Sequence, residues 1–266
     1  MTSLKINKNE IIAIVNNKGG VGKTTTAVNL GYSLSKIGKN VLIIDLDQQS
    51  NTTQYLDRYD LNRYQVGDLM FNNIKISEIV RETDYAGLDL IPCSERFNVA
   101  NAIMRAESLM PPQLFLKRAL DMNYIQENGY DYILIDCPPQ LQEITANALT
   151  VATNVIVPIK AGEFALEGYI SVLEALDKIR ASGVSNDAKL LGALLTISDS
   201  RLQIHKYIYK QLLELGEPVF ETVIRQSTFV EKSVTAKKPV AELYPDNIVA
   251  IDYIRLAEEI AEFLGV

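Results

Sequence analysis

The chain has 266 residues, of which 47% are hydrophobic and 22% are charged. This profile is typical of a globular protein and excludes intrinsic disorder, collagen-like repeats and a disulfide scaffold. The net charge of −7 argues, taken alone, weakly against a nucleic-acid partner. Two cysteines, no secretory signal and no apolar run near the roughly 20 residues that span a membrane lead us to expect a cytoplasmic protein.

Short apolar runs alternate with amphipathic stretches along the chain. The runs are rich in β-branched residues and contain no regular polar alternation, which is typical of strands buried on both faces of a parallel sheet. The predicted strands are Ile11–Val15, Val41–Ile44, Leu88–Ile91, Tyr132–Ile135, Val155–Ile159, Leu190–Leu195 and, less regularly, Pro218–Phe220.

Two of the amphipathic stretches carry apolar stripes at helical spacing. Strand–helix alternation predicts βαβ units with right-handed crossovers. We find no repeat and no low-complexity linker, so we predict one α/β domain over residues 1–266, with a mostly parallel twisted sheet flanked by helices. The stripes are Phe164, Leu166, Ile170, Leu173, Leu176 and Ile179 in one helix, and Ile251, Ile254, Ile260 and Leu264 in a final helix.

The strongest motif is a glycine-rich loop between the first predicted strand and a helix that continues to about Ile37. Glycines let backbone N–H groups curl around a phosphate, and the helix directs its positive end at the same anion. Lys23 can reach the outer phosphates, and the Thr24 hydroxyl is placed to ligate Mg²⁺. These features predict a P-loop. Its nucleotide-binding residues are Gly19, Gly20, Val21, Gly22, Lys23, Thr24 and Thr25.

The loop departs from the usual P-loop, because Asn17 replaces the first glycine and a second lysine, Lys18, follows it. Residues 18–25 resemble the deviant Walker A motif of the ParA/MinD group of P-loop ATPases. The resemblance implies a homodimer that sandwiches two ATP molecules, in which Lys18 touches the nucleotide of the partner subunit. A cation from another subunit stabilises phosphate charge as an arginine finger does. A solvated loop charge is the alternative for Lys18.

Two further predicted strands lead directly into carboxylates, Asp45 and Asp136. Ligands bind at the carboxyl ends of strands in open α/β sheets, and carboxylates there suit Mg²⁺ and water positioning. The resemblance implies that Asp136 is the Walker B aspartate and that Asp45 orients the attacking water. We therefore predict Lys18, Lys23, Asp45 and Asp136 as catalytic residues, and Thr24 and Asp136 as a metal site. A strand-end cap is the alternative for either aspartate.

Later segments resemble plasmid-type members of the group, through Thr222–Ser227 and the Lys-Pro-Val at 238–240. The acidic polar face of the last helix argues against the membrane-binding helix of MinD-like members. Because the loop begins at residue 17, we expect no N-terminal helix-turn-helix domain and no operator binding through one. The nitrogenase iron protein has a similar loop and binds an iron–sulfur cluster through cysteines in glycine-rich surroundings. Cys93 and Cys137 lack such surroundings, so we predict that both are buried and act as small hydrophobic residues.

Segment 201–240 has seven cations and four anions in an otherwise acidic chain. A basic patch suits salt-sensitive, sequence-independent contact with a phosphate backbone, and a solvated helix face is the alternative. ParA-type dimers bind nonspecific DNA through their C-terminal half, so the resemblance implies a DNA-binding role for Arg225, Lys232, Lys237 and Lys238. The only histidine, His205, has no metal-ligand spacing, and we predict a surface position for it.

The resemblance thus implies an ATP-dependent DNA partition ATPase with weak intrinsic activity, associated with the nucleoid. Its ATP-bound homodimer would bind nonspecific double-stranded DNA and release it on hydrolysis stimulated by a ParB-like centromere-binding protein. One alternative is a ParA-like ATPase that positions a protein cargo. Another is a metabolic enzyme of the wider group, such as a dethiobiotin-synthetase-like ligase, against which Lys18 argues.

Overall fold

The computed structural model describes residues 9–98, 101–102, 111–162, 164–184, 188–199 and 201–266. In these ranges one sheet has the strand order β3-β4-β2-β5-β1-β6-β7, and every neighbouring pair is parallel except β3 with β4. The predicted α/β fold with a mostly parallel sheet is therefore confirmed. The strands are β1 (Glu10–Ile14), β2 (Val41–Asp45), β3 (Arg81–Glu82), β4 (Leu88–Ile91), β5 (Tyr132–Asp136), β6 (Asn154–Lys160) and β7 (Lys189–Thr196).

Helices lie on both faces of the sheet. None in the described ranges combines the length and the apolar character needed to cross a membrane. The main helices are α1 (Lys23–Lys36), α2 (Asn51–Tyr55), α3 (Val66–Phe71), α4 (Ile76–Ile79), α5 (Phe115–Ala119), α6 (Met122–Glu127), α7 (Glu143–Val151), α8 (Ala165–Ala181), α9 (Gln203–Glu214), α10 (Thr228–Thr235), α11 (Val240–Leu243) and α12 (Ile248–Leu264).

The sheet separates two hydrophobic cores, because successive side chains of a strand point to opposite faces. Ile11 and Ala13 of β1 belong to the core that contains residues of α7 and α8. Ile12 belongs to the core that contains residues of α1 and α12. Every residue of β1 and β2 is buried, and this explains why these runs lack polar alternation.

The predicted helical stripes are only partly correct. Leu176 of α8 and Ile260 of α12 are buried, but Phe164, Ile170 and Ile251 are exposed. The stripes left out the tyrosines, which fill both cores because a buried phenol ring contributes a large apolar surface. These residues are Tyr169 of α8 and Tyr253 of α12.

The prediction of a strand at Pro218–Phe220 is wrong. The segment runs beside β7 and makes only an isolated parallel bridge there, between Ala193 and Val219. It buries Phe220 against Gly192, where an added β-carbon would lie 2.9 Å from two ring carbons. Gly192 therefore permits an approach that any larger residue would obstruct. The two-residue strand β3 was not predicted, because so short a run has no period.

The Gly192→Ala substitution is expected to lower the free energy of unfolding by about 1–3 kcal/mol, the usual effect of overpacking a core. Denaturant unfolding measures the change. Gly162→Ala is the matched control, since no heavy atom lies within 4 Å of its added carbon. Phe220→Leu in the Gly192→Ala background should recover part of the loss. Equal stability of the two single variants would contradict the proposed contact.

Candidate nucleotide site

The register of the sheet brings the phosphate loop and two carboxylates to one edge. Asp45, at the end of β2, pairs with Asp136, at the end of β5. Asp136 also pairs with Ile14, the last residue of β1. The loop follows β1 directly, so it lies beside both aspartates at the carboxyl ends of the strands, where ligands bind in open α/β sheets.

Neighbouring strands hold the phosphate loop in place. The side-chain oxygen of Asn16 accepts a hydrogen bond from the backbone N–H of Lys18 at 2.9 Å, and its amide donates to the carbonyl of Pro158 at 2.8 Å. Thr196, the last residue of β7, donates its hydroxyl to the carbonyl of Val21 at 2.8 Å. The loop is thus fixed from β6 and β7 without a ligand.

Gly20 and Gly22 give the loop its curl, with φ values of +70° and +85° that other residues rarely adopt. No heavy atom lies within 4 Å of the position that a β-carbon of Gly19 or Gly20 would occupy. Helix α1 begins at Lys23 and has no acidic residue in its first turn to compensate its positive end. This open cradle at a helix N-terminus fits a phosphate group.

The two lysines of the loop have opposite environments. Lys23 is buried, and its ammonium donates to the carbonyl of Lys18 at 3.0 Å. Burial lowers the pKa of Lys23, although the charge of Asp136 opposes this shift. The amine of Lys18 instead lies 3.1 Å from a carboxylate oxygen of Glu167 and 5.4 Å from the ring centre of Phe164. Lys18 therefore directs its charge to the start of α8 rather than into its own loop.

Donors from α2 and from the loop before it fix the buried carboxylate of Asp45. One oxygen accepts the backbone N–H and the hydroxyl of Thr53, at 2.9 and 2.7 Å. The other oxygen accepts the backbone N–H of Asp47 at 3.0 Å. Burial, followed by the charge of Asp136, raises the pKa of Asp45. The orientation of this carboxylate is thus set before any substrate binds.

Asp136 is buried beside the loop and is only half satisfied. One carboxylate oxygen accepts the hydroxyls of Thr24 and Thr52, each at 2.8 Å. The other oxygen has no hydrogen-bond partner among the described residues. Burial raises the pKa of Asp136, and the two threonine hydroxyls oppose that shift.

The oxygens around Asp136 fit magnesium, which prefers carboxylate and hydroxyl ligands and keeps several waters. A buried carboxylate oxygen without a donor is costly, and a cation relieves that cost. Thr24 and Asp136 would hold the ion, which supplies charge neutralisation at the nucleotide phosphates. Within the described ranges, no group of three or more His, Cys, Asp or Glu residues offers another metal site.

A cavity of about 240 Å³ beside the loop was not predicted from the sequence. Gly22 and Thr25 belong to both the loop and the cavity wall, so the cavity adjoins the phosphate cradle. The segment at 222–227, which resembles plasmid-type members, forms part of the cavity wall, and only Arg225 among its residues has a role predicted from the sequence, as a DNA contact. The other lining residues are Thr196, Ile197, Ile224, Arg225, Gln226, Ser227, Thr228, Val230, Glu231 and Tyr253.

The predicted DNA-binding residues do not share one environment. Arg225 donates to the carboxylate of Asp252 from its guanidinium and from its backbone N–H, and Asp252 is buried. Lys232, Lys237 and Lys238 are exposed at the end of α10 and in the turn after it. We call these three residues the lysine segment. Their DNA-binding role stays a prediction.

Ion pairs account for much of the basic charge counted in segment 201–240. Three of the carboxylate partners lie outside that segment, so the count along the sequence could not include them. Among the described residues, Lys206, Lys232 and Lys238 are the cations of this segment that make no ion pair. The pairs are Arg201–Asp199, Lys210–Glu214, Arg225–Asp252 and Lys237–Asp57.

The prediction of a surface position for His205 is wrong. Its side chain is buried, and its Nδ1 lies 2.9 Å from the hydroxyl of Ser198. The inward face of α9 includes His205, Ile208 and Leu212, and helical spacing from the two aliphatic residues would have found it. Cys93 and Cys137 are buried and free, as predicted, and burial raises the pKa of both thiols.

Comparisons with known proteins assign the chain to a family. Residues 9–190 match the family model described as an AAA domain. The chromosome-partitioning ATPase Soj of Thermus thermophilus is 36% identical over 251 residues, 94% of each chain. This chain belongs to the ParA/Soj family of partitioning ATPases. The chromosome partitioning protein ParA of Caulobacter vibrioides is 33% identical over 97% of this chain and 96% of its own length.

A solved structure with a bound nucleotide shares the fold of this chain. Cobyrinic acid a,c-diamide synthase from Mycobacterium smegmatis, with bound ADP and magnesium, superposes with a TM-score of 0.79 and 28% identity, over 94% of this chain and 93% of that chain. The family resemblance read from the sequence, and with it the ATPase activity, is confirmed. A plasmid origin of this ParA/Soj-family ATPase stays a prediction.

The buried aspartates predict a specific pH dependence of stability. Their raised pKa values mean that the folded, nucleotide-free protein binds more protons than the unfolded chain above the ordinary carboxyl pKa of about 4. Its stability should therefore fall as the pH rises from about 5 to about 8. The Asp136→Asn variant removes one charge and its repulsion of Asp45, and should lose roughly 1–3 kcal/mol less over that interval.

Denaturant unfolding at a series of pH values checks this expectation. Asp177→Asn is the control, because Asp177 is an exposed aspartate paired with Arg180 on the surface of α8. It should follow the wild-type pH dependence. A wild-type slope in the Asp136→Asn variant would show that this carboxylate is not the source of the effect.

Proposed function

We propose that this chain is a single P-loop ATPase domain, residues 1–266, that partitions DNA in the cytoplasm in association with the nucleoid. ATP and Mg²⁺ bind at residues 17–25, with Asp136 and Thr24 at the metal and Asp45 at the attacking water. Two subunits close over two nucleotides, and each places its Lys18 at the nucleotide of the other. The closed dimer binds nonspecific double-stranded DNA, and hydrolysis stimulated by a ParB-like protein releases it.

The observation that carries this proposal is the position of Lys18. Its amine lies outside its own phosphate cradle, at a partly exposed contact with Glu167, while Lys23 occupies the inside. One loop thus has an inward cation for its own nucleotide and an outward cation for another. A second subunit that faces the loop would receive the outward charge at its phosphates, where a cation stabilises the transition state.

The remaining site residues support roles in the same reaction. Thr53 and Asp47 hold the Asp45 carboxylate in one orientation, which suits the placement of a water molecule for attack on the terminal phosphate. The cavity that Gly22 and Tyr253 line supports a site for the adenine base. Gln226 and Ser227 also line it and would supply polar contacts to the base.

For DNA, the lysine segment supports a weak electrostatic contact, since Lys232 and Lys238 make no ion pair within the described residues. Dimerisation doubles the number of such segments in one complex, and phosphate contacts add to affinity and to its salt dependence. ATP controls DNA binding only if DNA prefers the ATP-bound state.

The internal pairing of Arg225 and Lys237 favours a second candidate, in which the same ATP-operated dimer positions a protein cargo instead of DNA. Few free cations would then be needed. The two candidates differ in their response to DNA, and a measurement of DNA affinity in each nucleotide state separates them.

Random duplex DNA should bind the protein with ATP and Mg²⁺ and not with ADP or without nucleotide. Fluorescence anisotropy of a labelled duplex measures the affinity in each state. The Lys18→Ala variant should bind ATP but fail to dimerise and to bind DNA, because the trans cation is missing. Light scattering with a non-hydrolysable ATP analogue measures the dimer. Equal DNA affinity in all nucleotide states would contradict the ATP switch, and no affinity in any state would favour a protein cargo.

The Lys238→Ala variant should weaken DNA binding for every sequence, because one cation that neutralises a phosphate is removed. The slope of log affinity against log salt should fall by about 1 for that one phosphate. Lys206→Ala is the matched control, because Lys206 is an exposed, unpaired lysine of the same charged segment that lies on α9. If both variants show the same drop in affinity and slope, the DNA contact does not lie at the lysine segment.

A further inference from the structure

The short helix α2 lies between the catalytic carboxylates and the lysine segment. At one end, Thr52 donates its hydroxyl to Asp136 at 2.8 Å, and Thr53 donates its backbone N–H and its hydroxyl to Asp45. Thr52 and Thr53 are buried, so these bonds are shielded from water. Any change in the hydrogen bonds that Asp45 and Asp136 accept therefore acts directly on α2.

At the other end of α2, the Tyr55 hydroxyl reaches α10. It lies 2.5 Å from the hydroxyl of Ser233, and both side chains are buried. The donors can be assigned, because Ser233 donates to the carbonyl of Val230 at 2.7 Å and must accept from Tyr55. Asn29 completes the chain by donating its amide to the Tyr55 oxygen at 3.3 Å. Each hydroxyl therefore has one partner to give to and one to accept from.

Asn29 ties the same network to the phosphate loop and to the far side of the lysine segment. Its amide also donates to the carbonyl of Thr25 at 2.8 Å, and its side-chain oxygen accepts the backbone N–H of Val240 at 2.8 Å. Ser233 and Val240 flank Lys237 and Lys238 along the chain. Lys237 and Lys238 are thus held on both sides by residues that contact α1 or α2.

A surface ion pair runs parallel to the buried network. Asp57, two residues after α2, lies 2.6 Å from the amine of Lys237. Both residues have left-handed backbones, with φ of 52° and 54°, and so does Ser50 before α2, with φ of 56°. Such backbones are strained for residues other than glycine and cluster in segments that switch. The α2 segment is therefore bounded on both sides by strained residues.

We infer that α2 couples the nucleotide site to the lysine segment, with Tyr55 and Asp57 as positioning residues. The inference rests on the proposed DNA-binding function and names its regulation. Thr24 and Thr52 both donate to one oxygen of Asp136. When the Thr24 hydroxyl turns away from Asp136 toward a bound ligand, the hydrogen bond from Thr52 to Asp136 changes. Helix α2 then shifts, and the buried Tyr55–Ser233 hydrogen bond transmits this shift to α10.

The Tyr55→Phe variant tests the coupling, because it removes one hydroxyl and keeps the ring. We expect ATP affinity within about twofold of the wild type, but a ratio of DNA affinities between the ATP and ADP states that falls about 5-fold or more, the scale of a typical coupling between sites. Tyr130→Phe is the matched control, since Tyr130 is also buried and donates its hydroxyl to Asp89, away from both sites. Its ratio should stay at the wild-type value.

Ser233→Ala should reproduce the effect of Tyr55→Phe, and the double variant should be no worse than either single one, because both remove the same bond. Asp57→Asn changes an exposed pair and leaves the core intact, so it keeps the test valid if Tyr55→Phe unfolds. It should lower the same ratio at low salt. Unchanged ratios in folded Tyr55→Phe, Ser233→Ala and Asp57→Asn proteins would overturn the inference.

Hydrogen exchange of the α10 amides separates this inference from the DNA-binding proposal. A non-hydrolysable ATP analogue with Mg²⁺ should change α10 protection in the wild type and not in Tyr55→Phe. That result without any DNA affinity would leave the coupling standing and remove the DNA function. ATP-dependent DNA binding with the same α10 response in both proteins would leave the function standing and remove the coupling.

Discussion

Asp45 and Asp136 end adjacent parallel strands in matched register, so the sheet holds two carboxylates side by side in its interior. Burial raises the pKa of both carboxyl groups, and the charge of Asp136 adds to the shift of Asp45. Hydrogen-bond donors and cations favour the ionised forms. The donors come from Thr24 at the start of α1 and from the two threonines of α2. Both elements that border the phosphate site are therefore bonded to the same pair of carboxylates.

One carboxylate oxygen of Asp136 has no donor within the part of the chain that the structure describes. A fully satisfied aspartate would gain little from a cation, whereas an oxygen that is buried and unpartnered favours one strongly. A cation bound by this oxygen would therefore offset the cost of burying it. A cation at Asp136 would change the hydrogen bond that Asp136 accepts from Thr52. In the proposed coupling, this change is how nucleotide alters the distant lysine segment.

The sequence predicted the carboxyl edge of the sheet well, because the strand ends and the parallel character of the sheet follow from short local patterns. Loop, lysines and aspartates lie within a few residues of a strand end, and parallel strands end together. What it could not predict depends on pairs far apart in the chain. Tyr55 and Ser233 are separated by 178 positions, and Asp57 and Lys237 by 180.

The same reason limited the electrostatic prediction. A count along segment 201–240 treats Arg225 as free, although the fold brings Asp252 of α12 to its guanidinium. The predictions for His205 and for the buried face of α8 failed for a different reason. A helix buries whichever face its neighbours cover, and a stripe of aliphatic residues omits tyrosine and histidine.

Burial also assigns different tasks to the two lysines of the loop. Lys23 is buried among the loop carbonyls and Asp136, so its amine is fixed where phosphates would lie. Lys18 lies near Phe164 and pairs with Glu167, in an ion pair whose side chains are 39% and 65% exposed. Such a pair contributes about 0–1 kcal/mol, so a nucleotide on a second subunit can easily compete for the amine. In the proposed dimer, a trans-acting Lys18 needs a weak hold in its own subunit, because any free energy that retains it there would oppose closure of the dimer.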